Sequence, residues 1–76
     1  MKEIDITLRS ISDIRNFVNA VTLLDYEVDL RQGRYLVDAK SIMGIFALDT
    51  LSPINLVAHT DNAEAFFAAI DAFIVK

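Results

Sequence analysis

The chain opens with alternating apolar and polar residues, which predicts a strand with one buried face. The apolar positions of this first strand are Ile4, Ile6 and Leu8. The spacing then changes to that of a helix, with an apolar stripe at Ile11, Ile14, Phe17, Val18 and Val21. Ser10 and Asp13 have the spacing of a capping box. We therefore predict a first helix from about residue 11 to about residue 23.

A β-hairpin is predicted next, because a second alternating segment leads into a turn that contains glycine. Its apolar positions are Tyr26, Val28 and Leu30, and its acidic positions are Asp25, Glu27 and Asp29. Gly33 supplies the positive φ that a tight turn requires. The third strand follows at Tyr35, Leu36 and Val37. The apolar run from Ser41 to Leu48 predicts a short second helix, which must end before Pro53.

The remaining residues predict a fourth strand and a third helix. The strand has Ile54, Leu56 and Ala58 on one face, and Asn55, Val57 and His59 on the other. Asp61 with Glu64 has the spacing of a capping box and would begin the helix. The apolar stripe of that helix is Ala63, Phe66, Phe67, Ile70, Phe73 and Ile74.

These elements give the order β-α-β-β-α-β-α in a single domain, residues 1–76, without a linker or a repeat. Three helices with one apolar stripe each must share one face of a four-stranded antiparallel sheet. The acidic positions of the first two strands would then face solvent. The predicted fold class is α+β, an open-faced sandwich with three helices on one face of the sheet and a wet second face.

Charge and composition exclude several classes of function. Eleven acidic residues against seven basic ones give a net charge of -4, which would repel a nucleic-acid backbone. The chain has no cysteine, so it can form neither a disulfide nor a Cys-based zinc site. No segment approaches the ~18 apolar residues of a membrane span. We expect a cytoplasmic protein that binds neither nucleic acid nor membrane and uses no cofactor.

Ser10, His59 and a row of carboxylates are weak candidates for chemistry. Ser10 has no visible base, whereas a serine that caps a helix satisfies free N–H groups. His59 has no base partner visible in the sequence, which favours a simple surface histidine. The acidic residues of the second strand alternate on one face, as expected for a solvated sheet face.

Ser41 is the strongest candidate, because it begins an unusually apolar short segment. One short helix cannot bury all of its apolar side chains, so Ile42, Met43 and Phe46 are either core residues or a docking surface for a partner. Methionine and phenylalanine suit an adaptable protein-binding surface. Ser41 itself is either a helix cap alone or a cap that is also phosphorylated.

The run Lys40-Ser41-Ile42-Met43-Gly44 resembles the segment around the regulatory serine of HPr. HPr is the small phosphocarrier protein of the sugar phosphotransferase system, and this form of the segment is found in low-GC Gram-positive bacteria. The resemblance continues without a gap from Phe17 to about Leu48. Phe17-Val18 falls on the family's Phe-Val in helix one, and Gln32-Gly33 falls on its Asn-Gly turn. HPr also has the element order predicted above.

In the same register, Ser10 takes the place of the family's phospho-histidine. Arg9 stands where the family has glycine, Ser12 where it has arginine, and Asp13 where it has proline. The resemblance therefore implies a non-enzymatic member without histidine phosphotransfer, similar to the catabolite-repression HPr-like proteins.

The resemblance also implies a role for the segment at Ser41. A kinase would phosphorylate Ser41, and protein partners would contact Ile42, Met43 and Phe46. These partners would be an HPr kinase and a transcription regulator or metabolic enzyme of carbon regulation. Two alternatives stay open. The protein could be a phosphocarrier that uses a non-standard residue, or a small binding or dimerisation domain that keeps only the fold.

Overall fold

The structure, a computed structural model, describes residues 1–76. Its strands are β1 (Lys2–Ile6), β2 (Val28–Gln32), β3 (Tyr35–Asp38) and β4 (Ile54–Ala58). Its helices are α1 (Ile11–Thr22), α2 (Ile42–Phe46) and α3 (Glu64–Ala69), and a 3-10 turn follows at Asp71–Phe73. The sheet is antiparallel in the order β1-β4-β2-β3. The predicted α+β open-faced sandwich is confirmed.

The core lies between the helices and one face of the sheet. Sixteen buried residues form it, and no polar or charged side chain is buried. α1 lies against both other helices. Phe17 of α1 is fully buried, with its ring centroid 6.5 Å from those of Phe66 and Phe73. No helix has the length and apolar character needed to cross a bilayer.

The hairpin turn has the predicted geometry. Gln32 pairs with Tyr35, which leaves a two-residue turn at Gly33 and Arg34. Gly33 has φ of +58°, and no other residue has a positive φ. Positive φ at the first turn position only is the type II′ arrangement, which matches the twist of the strands.

The second face of the sheet is less exposed to solvent than predicted. Val57 lies on this face between Glu3 of β1 and Asp29 of β2, yet only 5% of it is exposed. A hydrogen-bonded pair of polar side chains lies on each side of it. One pair is Arg31 with Asn55, and the other is His59 with Asp29. Val57 is therefore a buried apolar residue within a polar face.

Two sequence expectations about the first half of the chain are wrong. β2 begins at Val28, and Asp25 and Tyr26 lie in a bend before it, so the alternation extends beyond the strand. Tyr26 packs edge-on against Phe66 instead, with ring centroids 6.5 Å apart. Ile11 was expected in the buried stripe of α1 but is 63% exposed. The stripe starts one turn later, at Ile14, because the first turn of α1 lies outside the core.

The third helix differs from its prediction at both ends. Asn62, rather than Asp61, accepts the N–H of Glu64, at 3.2 Å, and the N-cap position is Ala63. The helix ends at Ala69, and Ile74 is extended and bridges Ile6 of β1. Pairing with the open edge of β1 satisfies main-chain groups that a longer helix would leave unpaired, which explains the early end.

Candidate functional site

Ser41 is the N-cap of α2, as predicted. Its backbone is extended, with φ of -92° and ψ of 99°. Its Oγ accepts a hydrogen bond from the N–H of Gly44 at 3.1 Å, and its own N–H donates to the carbonyl of Asp38 at 2.9 Å. The residue is exposed. The structure therefore holds this hydroxyl at the surface, at the start of a helix.

Gly44 explains how α2 lies so close to the end of β3. A Cβ atom at this position would be 3.2 Å from the Oγ of Ser41 and 3.2 Å from the Cβ of Val37. Both neighbours are fixed, the first by the cap and the second by the strand. Glycine thus allows α2 to approach Val37 while the cap of Ser41 stays intact.

The side chains of α2 divide between core and surface. Ile45 is fully buried, and Ile42 packs partly against the core. Met43 and Phe46 are 76% and 51% exposed. We call Ser41, Met43 and Phe46 the α2 surface. Two of the three predicted docking residues, Met43 and Phe46, are therefore on this surface. The third, Ile42, packs α2 against the core.

Ser10 is the N-cap of α1. Its Oγ accepts the N–H of Asp13 at 3.0 Å. The Asp13 carboxylate accepts the N–H of Arg9 at 3.1 Å, rather than that of Ser10, so the capping box is shifted by one residue. The segment before Ser10 is joined to the segment after α2, because Leu8 N–H donates to the carbonyl of Thr50 at 2.9 Å.

His59 lies at the other end of the sheet from Ser10. Ser10 follows the end of β1 at which Ile6 pairs with Ile54, whereas His59 follows the end of β4 at which Ala58 pairs with Lys2. A five-residue strand spans roughly 16 Å. The single histidine is therefore remote from the N-terminus of α1.

Sequence reasoning missed the partner of His59. The Nε2 atom of His59 lies 2.8 Å from Oδ2 of Asp29, and both side chains are partly exposed. The contact arises because β4 pairs with β2 in antiparallel register, which also brings His59 N–H to the carbonyl of Glu27 at 2.9 Å. Only the pairing of these two distant strands could have revealed it.

The polar face of the sheet carries a second network but no metal site. Arg31 donates to Asn55 Oδ1 and to Glu3 Oε1, with its Nη2 atom 2.6 Å and 2.9 Å from these oxygens. Asn55 also donates to Asp5 at 3.3 Å. No group of three or more histidine, cysteine or acidic side chains is placed to hold a metal ion. The expected row of carboxylates is interrupted, since only Asp29 lies within β2.

Neither cleft of the structure has the character of an enclosed pocket. The larger, about 550 Å³, is open and is lined in part by Arg9, Leu51 and the C-terminal residues. The smaller, about 400 Å³, lies by Lys2, Asn62 and Phe67.

Burial, with the Asp25 carboxylate as a second cause, raises the pKa of the Tyr26 hydroxyl. That residue belongs to the aromatic core, so it identifies no reaction centre.

Comparison with known proteins identifies the fold. No protein-family model matches the sequence, and no curated protein matches it significantly. Solved structures do match. HPr-C-His from Thermoanaerobacter tengcongensis has a TM-score of 0.78 and 25% identity, over 95% of this chain and 89% of the other. This chain has the HPr fold.

Two further HPr structures have the same arrangement. The phosphocarrier protein HPr of Bacillus anthracis has a TM-score of 0.71 and 25% identity, over 97% of this chain and 94% of the other. The histidine-containing phosphocarrier protein of Mycoplasma has a TM-score of 0.69 over 93% of this chain and 86% of the other. At 18% identity it supports the fold alone. The structural neighbours are thus HPr phosphocarrier proteins, in agreement with the resemblance seen in the sequence.

Proposed function

We propose that this chain is an HPr-like regulatory or adaptor protein of the phosphotransferase system or of carbon regulation. It is not an enzyme, carries out no histidine phosphotransfer, and is switched by phosphorylation of Ser41. One observation carries the proposal: an HPr fold presents an exposed serine on the same short helix as the exposed Met43 and Phe46. The protein acts as a single domain in the bacterial cytoplasm.

The residue at the family's phosphorylation position argues against phosphotransfer. The resemblance to HPr puts Ser10 where that family has its histidine. A relay needs a labile P–N bond, whereas serine forms a stable phosphoester. Ser10 is moreover engaged as a helix cap, and His59 lies at the far end of β4. Ser10 is therefore not equipped to pass a phosphoryl group to a partner, and His59 does not lie at the position from which the family does so.

Phosphorylation of Ser41 would change the α2 surface from apolar to anionic. A phosphate adds about -1.5 to -2 charges at neutral pH, next to Met43 and Phe46. Its oxygens can take over the hydrogen bond from the Gly44 N–H, so that the fold need not rearrange. Partners that bury the apolar side chains would be disfavoured, and partners that offer an arginine or lysine would be favoured.

The partners of the α2 surface are proteins. An HPr kinase would recognise it to modify Ser41, and a transcription regulator or metabolic enzyme would bind it in one phosphorylation state. Methionine has an unbranched side chain that adopts many rotamers, and Phe46 is a large apolar side chain. Such residues together suit a surface that adapts to more than one partner.

Two parallel incubations of the purified protein test the proposal. With Enzyme I and phosphoenolpyruvate we expect no added mass, whereas with ATP and an HPr kinase from a related bacterium we expect one phosphate. Genuine HPr is the positive control in both reactions. An acid-labile phosphate from phosphoenolpyruvate would reveal a phosphocarrier and overturn the proposal. A Met43→Glu, Phe46→Glu double variant should be phosphorylated by the kinase at least tenfold more slowly if the α2 surface is the docking site.

A further inference from the structure

The two outer edges of the sheet differ in how they are covered. The C-terminal segment covers the edge of β1: Thr7 N–H donates to the carbonyl of Phe73 at 2.8 Å, and Val75 N–H donates to that of Asp5 at 2.9 Å. No strand lies beyond β3. An uncovered edge presents unpaired N–H and C=O groups to any chain that can align with it.

The register shows which groups of β3 face outward. Ala39 N–H donates to the carbonyl of Val28 at 2.9 Å, so the main-chain groups of Ala39 point toward β2. The direction of the N–H and C=O groups alternates from residue to residue along an antiparallel strand. Those of Val37, which pairs with Leu30, therefore also point toward β2. The N–H and C=O of Leu36 and the N–H of Asp38 then point away from the sheet. The carbonyl of Asp38 already accepts Ser41 N–H, which limits the free edge to a short segment.

The side chains of this edge are apolar and exposed, and they do not protect it against pairing with another strand. Leu36 is 65% exposed and Tyr35 is 58% exposed. Natural edge strands are commonly protected by an inward-pointing charge, a proline or a bulge. β3 has none of these within Tyr35–Val37. Its charged residues, Arg34 and Asp38, flank the apolar segment instead.

We propose that β3 pairs antiparallel with β3 of a second copy of this chain, about a two-fold axis at Leu36. In that register Leu36 exchanges both main-chain hydrogen bonds with Leu36 of the second copy, and Tyr35 lies opposite Val37. Arg34 lies opposite Asp38 of the second copy, and the same pair recurs on the other side of the axis. The segment is thus complementary to itself in hydrogen bonding, apolar contact and charge.

The dimer is weak, because the contact is short. Four residues from each copy bury less than the ~1,200 Å² typical of a stable interface. We expect a dissociation constant on the order of 0.1–1 mM. The pairing uses main-chain groups of β3 and none of α2, and it does not depend on the proposed function.

Sedimentation velocity over a range of protein concentrations tests the pairing. The wild type should shift from monomer toward dimer at the highest concentrations. Leu36→Pro should stay monomeric, because it removes an N–H that only the second copy would accept, whereas Leu36→Thr keeps that N–H and should still pair. Thermal melts establish that both variants are folded. A wild type that is monomeric throughout, or a folded Leu36→Pro that dimerises as well as Leu36→Thr, overturns the proposal.

A charge exchange tests the register through side chains. Asp38→Lys also removes the Oδ1 that accepts Lys40 N–H at 2.9 Å, so thermal melts must first show that both variants are folded. Arg34→Glu places two acidic residues opposite each other, and Asp38→Lys places two basic ones, so each variant alone should dimerise at least about tenfold more weakly than the wild type. An equal mixture should form a heterodimer, since each acidic residue then meets a basic one. Dimerisation of either single variant at wild-type strength, or a mixture that pairs no better than its components, contradicts the register.

Discussion

Ser41 and Gly44 are joined by a hydrogen bond of 3.1 Å from the glycine N–H to the serine Oγ, and each residue determines what the other can do. The serine begins α2, and the absent side chain of the glycine leaves room for the serine hydroxyl and for Val37. The residue whose hydroxyl caps the helix is itself exposed. Capping by Ser41 is therefore compatible with its proposed phosphorylation.

Removing the Ser41 hydroxyl should cost stability. Ser41→Ala leaves the Gly44 N–H without its acceptor, which should lower the free energy of unfolding by about 1 kcal/mol. For a chain of this size the melting temperature should fall by about 4–8 °C. Ser41→Asp keeps an acceptor at the N-cap and should melt close to the wild type. If Ser41→Ala melts like the wild type, the cap has no energetic role.

The exposed and buried residues of α2 should respond differently to substitution. Met43→Glu and Phe46→Glu should each change the free energy of unfolding by less than about 1 kcal/mol, because these side chains are mostly exposed. Ile45→Ala should cost about 2–5 kcal/mol, since Ile45 is fully buried. Urea denaturation measures all three. A large loss in either glutamate variant would show that these residues belong to the core rather than to a docking surface.

Val57 should tolerate a charge badly, although it lies on the polar face of the sheet. Val57→Asp would place a carboxylate between Glu3 and Asp29 at a position that is 5% exposed. We expect a loss of about 3 kcal/mol in urea denaturation at neutral pH. Val57→Asn has nearly the same volume as Val57→Asp without the charge, and its smaller loss isolates the charge. Equal losses in the two variants would show that charge is not the cause.

Alkaline pH should weaken the fold through Tyr26. Burial, and secondarily the Asp25 carboxylate, raise the pKa of the Tyr26 hydroxyl in the folded state. As the pH rises past about 10, the unfolded chain loses this proton first, so it binds fewer protons than the folded chain and stability falls. Below the unfolded pKa this contribution is fully present. Urea denaturation between pH 8 and 11 should show a smaller decline for Tyr26→Phe than for the wild type, and equal declines would exclude Tyr26 as a cause.

The features that follow local spacing were predictable from the sequence. The stripe at Ile14, Phe17 and Val21 determined α1, and a serine before an apolar run determined the cap of α2. Gly33 was predictable as a turn residue, because few other residues adopt positive φ.

The features that depend on distant strands were not predictable. His59 meets Asp29 only because β4 pairs with β2, although thirty positions separate the two residues. Ile74 continues the apolar stripe of α3 in sequence but leaves the helix to pair with Ile6, since tertiary pairing overrides local periodicity. The burial of Val57 likewise depends on its neighbours in two other strands, β1 and β2. For α2, the sequence indicated that Ile42, Met43 and Phe46 could not all be buried. The structure shows that Ile42 packs partly against the core and that Met43 and Phe46 are exposed.

The most direct test of the central claim is the intact mass of three proteins after incubation with ATP and an HPr kinase. Ser10→Ala is the matched control for Ser41→Ala, because both substitutions remove a helix-capping hydroxyl whose Oγ accepts an N–H at about 3 Å. We predict one added phosphate on the wild type and on Ser10→Ala, and none on Ser41→Ala. A wild type that gains no mass, or a Ser41→Ala variant that gains the same phosphate, would contradict the account.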